Sequence, residues 1–171
     1  MNNFWIKYSW LFILLVLIQI LVLNHFSISK YIYPMAYLLL LIILPVTINK
    51  YVTLFIAIGL GVLVDAFSDT FGLHTSSLVL IVYVRPIILN LIRPKNGYDN
   101  INEITIHQMG KFWFSEYSII LLFIHYLWFF SLEIFRIDMI GTIILKTTLS
   151  TLTSFIIIII FQYLFFKPLK Q

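Results

Sequence analysis

Long apolar runs broken by short polar stretches make up almost the whole chain. Six runs stand out, at about 8–23, 31–47, 51–65, 73–91, 112–132 and 140–166. A helix crossing a hydrocarbon core of about 30 Å needs roughly 20 residues. Each run therefore predicts a transmembrane helix, the shorter ones implying local thinning of the bilayer. The first ends at Asn24-His25, and the second carries Pro34 near its start and Pro45 near its end. The one sizeable break, 92–110, opens Arg93-Pro94-Lys95-Asn96-Gly97, where Pro and Asn-Gly favour a turn. Beyond it Ile101, Ile104, Ile106 and Met109 alternate with polar residues in no sustained period. That pattern fits either an interfacial stretch among headgroups or a plain tether to the fifth helix.

Composition sharpens this picture by exclusion. Of 171 residues 61% are hydrophobic and only 11% charged, and the mean hydropathy is +1.02. A soluble domain of this size needs a polar skin that these residues cannot supply. Without cysteine, thiolate catalysis, cysteine metal sites and palmitoylation are also excluded. The expectation is one all-α, polytopic membrane domain, 1–171. Its net charge of +4 reads as topology rather than nucleic-acid binding. Lys7, Lys50, Arg93, Lys95, Lys111, Lys167 and Lys170 fall in alternate breaks, against only Lys30 and Arg136 in the others. The positive-inside rule then puts both termini and the 92–110 loop in the cytoplasm. No small-x-small cleavage site follows the first run, so it reads as a retained helix rather than a removed signal. Trp5, Trp10 and Trp113 sit where interface belts are expected, and Ile156–Ile160 reads as lipid-facing bulk.

Charges inside spans are costly, and four stand out: Asp65, Arg85, Glu116 and Lys146. Ala57, Gly61 and Asp65 recur every four residues, a small-residue stripe on one helix face that lets another helix approach closely. Asp69 follows, and Gly72 permits the turn into the fourth helix. Asp65 reads either as a polar anchor at the outer side or as a carboxylate exposed at a helix end. Arg85 precedes Pro86 toward the cytoplasmic end, at a depth similar to Glu116, and Lys146 similarly matches Asp65. Two intramembrane ion pairs, Arg85–Glu116 and Asp65–Lys146, are the sharp expectation. Unpartnered snorkelling of the cations is the alternative.

Catalytic readings find little support. His25, His74, His107 and His125 lack metalloprotease spacing. Asp65 and Asp69 are four apart, but Gly59-Leu60-Gly61 runs into Val62 rather than the Asp of an intramembrane aspartyl protease. No nucleophile elbow and no phosphate-binding loop occur.

The stretch Gly61-Val62-Leu63-Val64-Asp65-Ala66-Phe67-Ser68-Asp69-Thr70-Phe71-Gly72-Leu73-His74, with Tyr83-Val84-Arg85-Pro86 beyond it, resembles the rod shape-determining MreD family in its Bacteroidetes-type branch. Six spans and the Lys111-Phe112-Trp113-Phe114 entry to the fifth helix agree. The resemblance implies a non-enzymatic scaffold without cofactor in the bacterial inner membrane. Its partners would be MreC and, through it, the MreB filament, RodZ, RodA and a penicillin-binding transpeptidase. It also implies a fold similar to the substrate-binding subunits of energy-coupling-factor transporters. The alternative function is therefore a small-molecule-binding membrane subunit, with an outer pocket lined by Asp65, Asp69 and His74. A scaffold would instead offer its small-residue stripe to a partner helix and hold no closed polar cavity.

Overall fold

A computed structural model describes residues 2–25, 30–95, 97–98 and 103–166, with side chains from residue 6 onward, His25 excepted. Of the positions singled out above, Asn96, Ile101, Lys167, Lys170 and the side chains of Trp5 and His25 lie outside it. The chain is helical: α1 (Asn2–Leu21), α2 (Leu38–Ile43), α3 (Lys50–Ser68), α4 (Leu73–Leu91), α5 (Ile106–Met109), α6 (Lys111–Ile134) and α7 (Ile140–Phe165). Short 3-10 turns follow α1 and precede α7. Among the described residues four helical stretches, Lys50–Ser68, Leu73–Leu91, Lys111–Ile134 and Ile137–Phe165, are long and apolar enough to cross a bilayer. The apolar part of α1, Ile6–Leu21, is shorter. This is the architecture of a multi-pass membrane protein.

Packing turns the usual arrangement inside out. Apolar side chains such as Trp10, Phe55, Ile87 and Ile156 face outward, where lipid tails solvate them at no cost. Polar ones such as Gln19, Ser77, Arg85, Ser118, Ser150 and Ser154 are buried. Helix α1 packs on α3 and runs parallel to it, Asn24 just past α1 bonding Ser68 at the end of α3, whereas α3 on α4, α4 on α6 and α6 on α7 pack antiparallel. Lys7 of α1 sits 4.8 Å from the centre of the Phe166 ring just beyond α7. The bundle thus has two ends. Lys7, Lys50, Arg93 and Lys111 mark one, and Lys30, Asp69, Glu133 and Arg136 mark the other.

The second apolar run is not one helix. Only Leu38–Ile43 is helical, and proline chemistry explains where it ends. Pro45 pushes the residue before it out of the α region, and Leu44 has φ −53 and ψ 142. Pro34 lacks an N–H and restricts Tyr33 in the same way. The run nevertheless passes the length of the bundle through its middle, with residues Met35 to Leu44 all buried. Irregular backbone at membrane depth persists only where protein surrounds it and supplies the missing partners. Here the helices do so with side chains. Tyr33 N–H donates to Ser150 Oγ at 3.0 Å and Met35 N–H to Ser154 Oγ at 2.8 Å. Gln19 clamps the same stretch, accepting from Ala36 N–H at 2.9 Å and donating to the Pro34 carbonyl at 3.2 Å. Tyr126 donates to the Tyr33 carbonyl at 2.8 Å.

The described end of the 92–110 connection, from Glu103 onward, is neither headgroup-lying nor a bare tether. The connection's expected turn closes through Gly97 N–H to the Pro94 carbonyl at 2.9 Å. Beyond it Ile104, Thr105 and Ile106 are buried in the bundle. Ile104 N–H donates to the Ile43 carbonyl at 3.2 Å, and Ile106 N–H to Gln162 Oε1 of α7 at 3.3 Å. Lys7 pairs with Glu103 at 2.6 Å beside it. Ile104 and Ile106 follow no helical or strand period because they plug the end of the central segment rather than cover a face.

Replacing Gln19 with Leu makes α1 more apolar, and at a lipid-facing position that would be harmless. In this fold it orphans the Ala36 N–H and the Pro34 carbonyl, each costing about 1–3 kcal/mol. Thermal unfolding in detergent is expected to show a clear fall in Tm for Gln19→Leu, against little change for the outward-facing Phe55→Leu. Equal melting of the two would place Gln19 on the lipid face.

Candidate functional site

Two clusters near opposite ends of α4 hold the groups that carry chemistry. The first is the α3–α4 hairpin. Helix α3 continues past Asp65 to Ser68, and Asp69 ends it in the left-handed region at φ 51. Gly72, at φ +82, then turns the chain into α4, a conformation that glycine adopts without penalty. The Asp65 carboxylate folds back over the start of α4. Oδ1 accepts from Thr70 Oγ1 at 2.6 Å and His74 N–H at 3.0 Å, and Oδ2 from Thr75 N–H at 2.9 Å and Thr75 Oγ1 at 2.6 Å. A carboxylate on the free N–H groups of a helix start is favoured by both hydrogen bonding and the helix dipole.

Gly61 makes this approach possible. A Cβ there would lie 2.7 Å from Thr75 Oγ1 and 2.9 Å from Thr75 N, and closer still to Thr75 Cα. Ala57, Gly61 and Asp65 are all buried. The small-residue stripe expected to receive a partner helix is therefore occupied within the chain, Gly61 lying directly on α4. Asp69, by contrast, is exposed.

Neither expected ion pair forms. Lys146 pairs with Glu133 at 2.9 Å, across the α6–α7 connection, and its ammonium also lies over the Tyr33 and Phe130 rings. Asp65 instead satisfies its oxygens on hydroxyls and backbone. Glu116 is exposed on the outer surface of α6, turned away from Arg85. Equal depth does not fix the direction in which a helical side chain points.

Arg85 forms the second cluster. It is 6% exposed, and its Nε donates to Tyr117 Oη at 2.8 Å. Its Nη2 donates to the Leu44 carbonyl and, at 3.5 Å, to that of Pro45. The guanidinium thus receives the carbonyls where the central segment leaves its helix. Tyr98 and Trp113 close the same end of α4, donating to the Leu89 and Ile92 carbonyls at 2.7 Å each. Burial is the main cause raising the Tyr98 hydroxyl above its ordinary pKa.

A cavity of about 690 Å³ opens at the Lys30 end. Asp69, His74, Glu133, Lys30 and Gln19 are among its lining residues, as is Phe129. Asp65 is not among them. His74 links this cavity to the core through Tyr37, whose hydroxyl lies 2.6 Å from His74 Nδ1, 3.1 Å from His125 Nε2 and 3.0 Å from Met35 Sδ. Among the described residues, no three His, Asp or Glu side chains converge as a metal centre would require. Reading the sequence for charges missed Tyr37, Gln19, Tyr117, Ser150 and Ser154. The signal available was Thr147, Thr151, Ser154 and Gln162 at helical spacing within an apolar run.

No family model matches the chain, and no curated protein or solved structure matches it significantly.

The geometry yields a firm expectation for Asp65. Asparagine offers one acceptor oxygen where four donors need two, so Asp65→Asn should cost about 1–3 kcal/mol. Adding Lys146→Met should give no relief, because the two side chains do not meet. Chemical denaturation of both single variants and the double variant should be additive within about 0.5 kcal/mol. A rescue by Lys146→Met would contradict the assigned partners.

Proposed function

We propose that the chain is a non-enzymatic membrane scaffold of MreD type, acting in the cell-elongation machinery that inserts peptidoglycan. The observation supporting this reading is what the residues of the resembling stretch do. Gly61 admits Thr75, Asp65 caps α4, Gly72 makes the turn, and Arg85 receives the central segment. All four are framework positions, as suits a protein that works by holding a shape. In this reading MreC is the direct partner, with MreB, RodZ, RodA and a penicillin-binding transpeptidase reached through it. Since α4 covers Gly61, that partner docks on an outward apolar helix face.

The same proposal counts six crossings, with the central segment as the second, in the bacterial inner membrane. The Lys50 and Arg93 end then faces the cytoplasm by the positive-inside rule, together with both termini.

The cavity at the Lys30 end favours a second reading, a small-molecule-binding subunit similar to those of energy-coupling-factor transporters. Its volume of about 690 Å³ falls within the range typical of ligand sites.

Depletion in the native host, with affinity purification of the tagged chain, separates the two. The scaffold reading expects rod-shaped cells to round, vitamin uptake to stay unchanged, and MreC to co-purify. Loss of uptake with normal shape, and co-purification of transporter ATPase subunits, would overturn it in favour of the second.

A further inference from the structure

A second cavity, of about 520 Å³, lies at the opposite end, between the start of α3 and the end of α4. Its lining includes three cations, Lys50, Arg85 and Arg93, with Thr47, Thr53, Asn90 and Tyr98 as neutral polar groups, and no carboxylate. Among the described residues no carboxylate pairs with these cations: the ion pairs there are Lys7–Glu103, Arg136–Asp138 and Lys146–Glu133. Lys50 lies 3.9 Å from the centre of the Tyr83 ring, an arrangement that orients its ammonium without cancelling the charge. Arg85 is buried, and its bonds go to neutral oxygens only. A buried guanidinium without an anion is costly, and an anion entering this cavity relieves that cost.

The surroundings indicate which anion. Apolar side chains adjoin these cations: Val46, Ile48 and Pro86 line the same cavity, and the exposed Tyr83 ring lies against Lys50. Lys50 and Arg93 lie just beyond the apolar length of their helices, at headgroup depth. A soluble anion would use the cations alone, whereas a lipid would use the cations and the apolar wall together. Basic pockets between transmembrane helices suit anionic headgroups in this way. We propose that this cavity binds the phosphate-bearing headgroup of an anionic lipid. Lys50 and Arg93 meet the phosphate, Arg85 supplies positive potential from the floor, and the acyl chains lie along Pro86 and Tyr83.

Native mass spectrometry of the detergent-solubilised chain tests this, with phosphatidylglycerol, phosphatidylcholine and inorganic phosphate as probes. Each Lys or Arg at such a surface is worth about a factor of five. The double variant Lys50→Gln/Arg93→Gln should therefore weaken phosphatidylglycerol retention by about thirtyfold, and Lys30→Gln at the other end should leave it unchanged. Phosphatidylcholine should be retained far more weakly than phosphatidylglycerol. Melting curves of the double variant should match those of the parent chain, since neither residue holds the backbone. Equal retention by parent and double variant would overturn the site. Equal retention of the two lipids, or displacement of phosphatidylglycerol by millimolar inorganic phosphate, would overturn the assignment to an anionic lipid.

Discussion

Every backbone N–H and C=O at membrane depth must find a partner inside the protein, and this chain places a largely non-helical segment in the middle of its bundle. A long helix satisfies its own groups. The stretch around Leu38–Ile43 cannot, because only six of its residues are helical and Pro45 stops the helix from going further. The surrounding helices therefore carry its missing partners: Gln19 on α1, Arg85 on α4, Tyr126 on α6, Ser150 and Ser154 on α7. These side chains sit at fixed levels along their helices. Their bonds set the height of each helix relative to the segment, and hence relative to one another. Van der Waals packing between apolar helices in lipid has little power to set such heights alone.

The α3–α4 hairpin solves a related problem at one end of the bundle. Two helices joined by four residues, Asp69–Gly72, leave the first N–H groups of α4 without partners, and Asp65 reaches back to take two of them. That reach requires α3 and α4 to be nearly in contact, which Gly61 allows. His74 follows directly and binds Tyr37 of the central segment, so the hairpin and the segment are tied through one residue. At the other end Arg85 makes the corresponding tie from the same helix. Helix α4 therefore grips the central segment near both ends.

Much of this was legible in the sequence. The hairpin residues could be read because an Asp and a Gly near the end of an apolar run have few other uses. The helical character of the long runs follows from hydropathy alone. The second run was misread because its hydropathy equals that of a span, and Pro45 was taken as an end marker instead of a limit on the helix. Depth-matching of charges failed for Asp65, Lys146, Arg85 and Glu116 because depth fixes neither the facing of a helix nor the reach of a nearer partner such as Glu133. Neutral polar residues carry most of the framework, and a reading weighted toward charges passes over Gln19, Tyr37 and Ser154.

Backbone chemical shifts of the isotopically labelled chain in lipid bilayers, measured by solid-state NMR, test the central claim most directly. The account predicts helical shifts at Leu38–Ile43, non-helical shifts at Tyr33–Ala36 and at Leu44–Val46, and slow exchange of the Met35 and Ala36 amides. Continuous helical shifts from Tyr31 to Thr47 would contradict it.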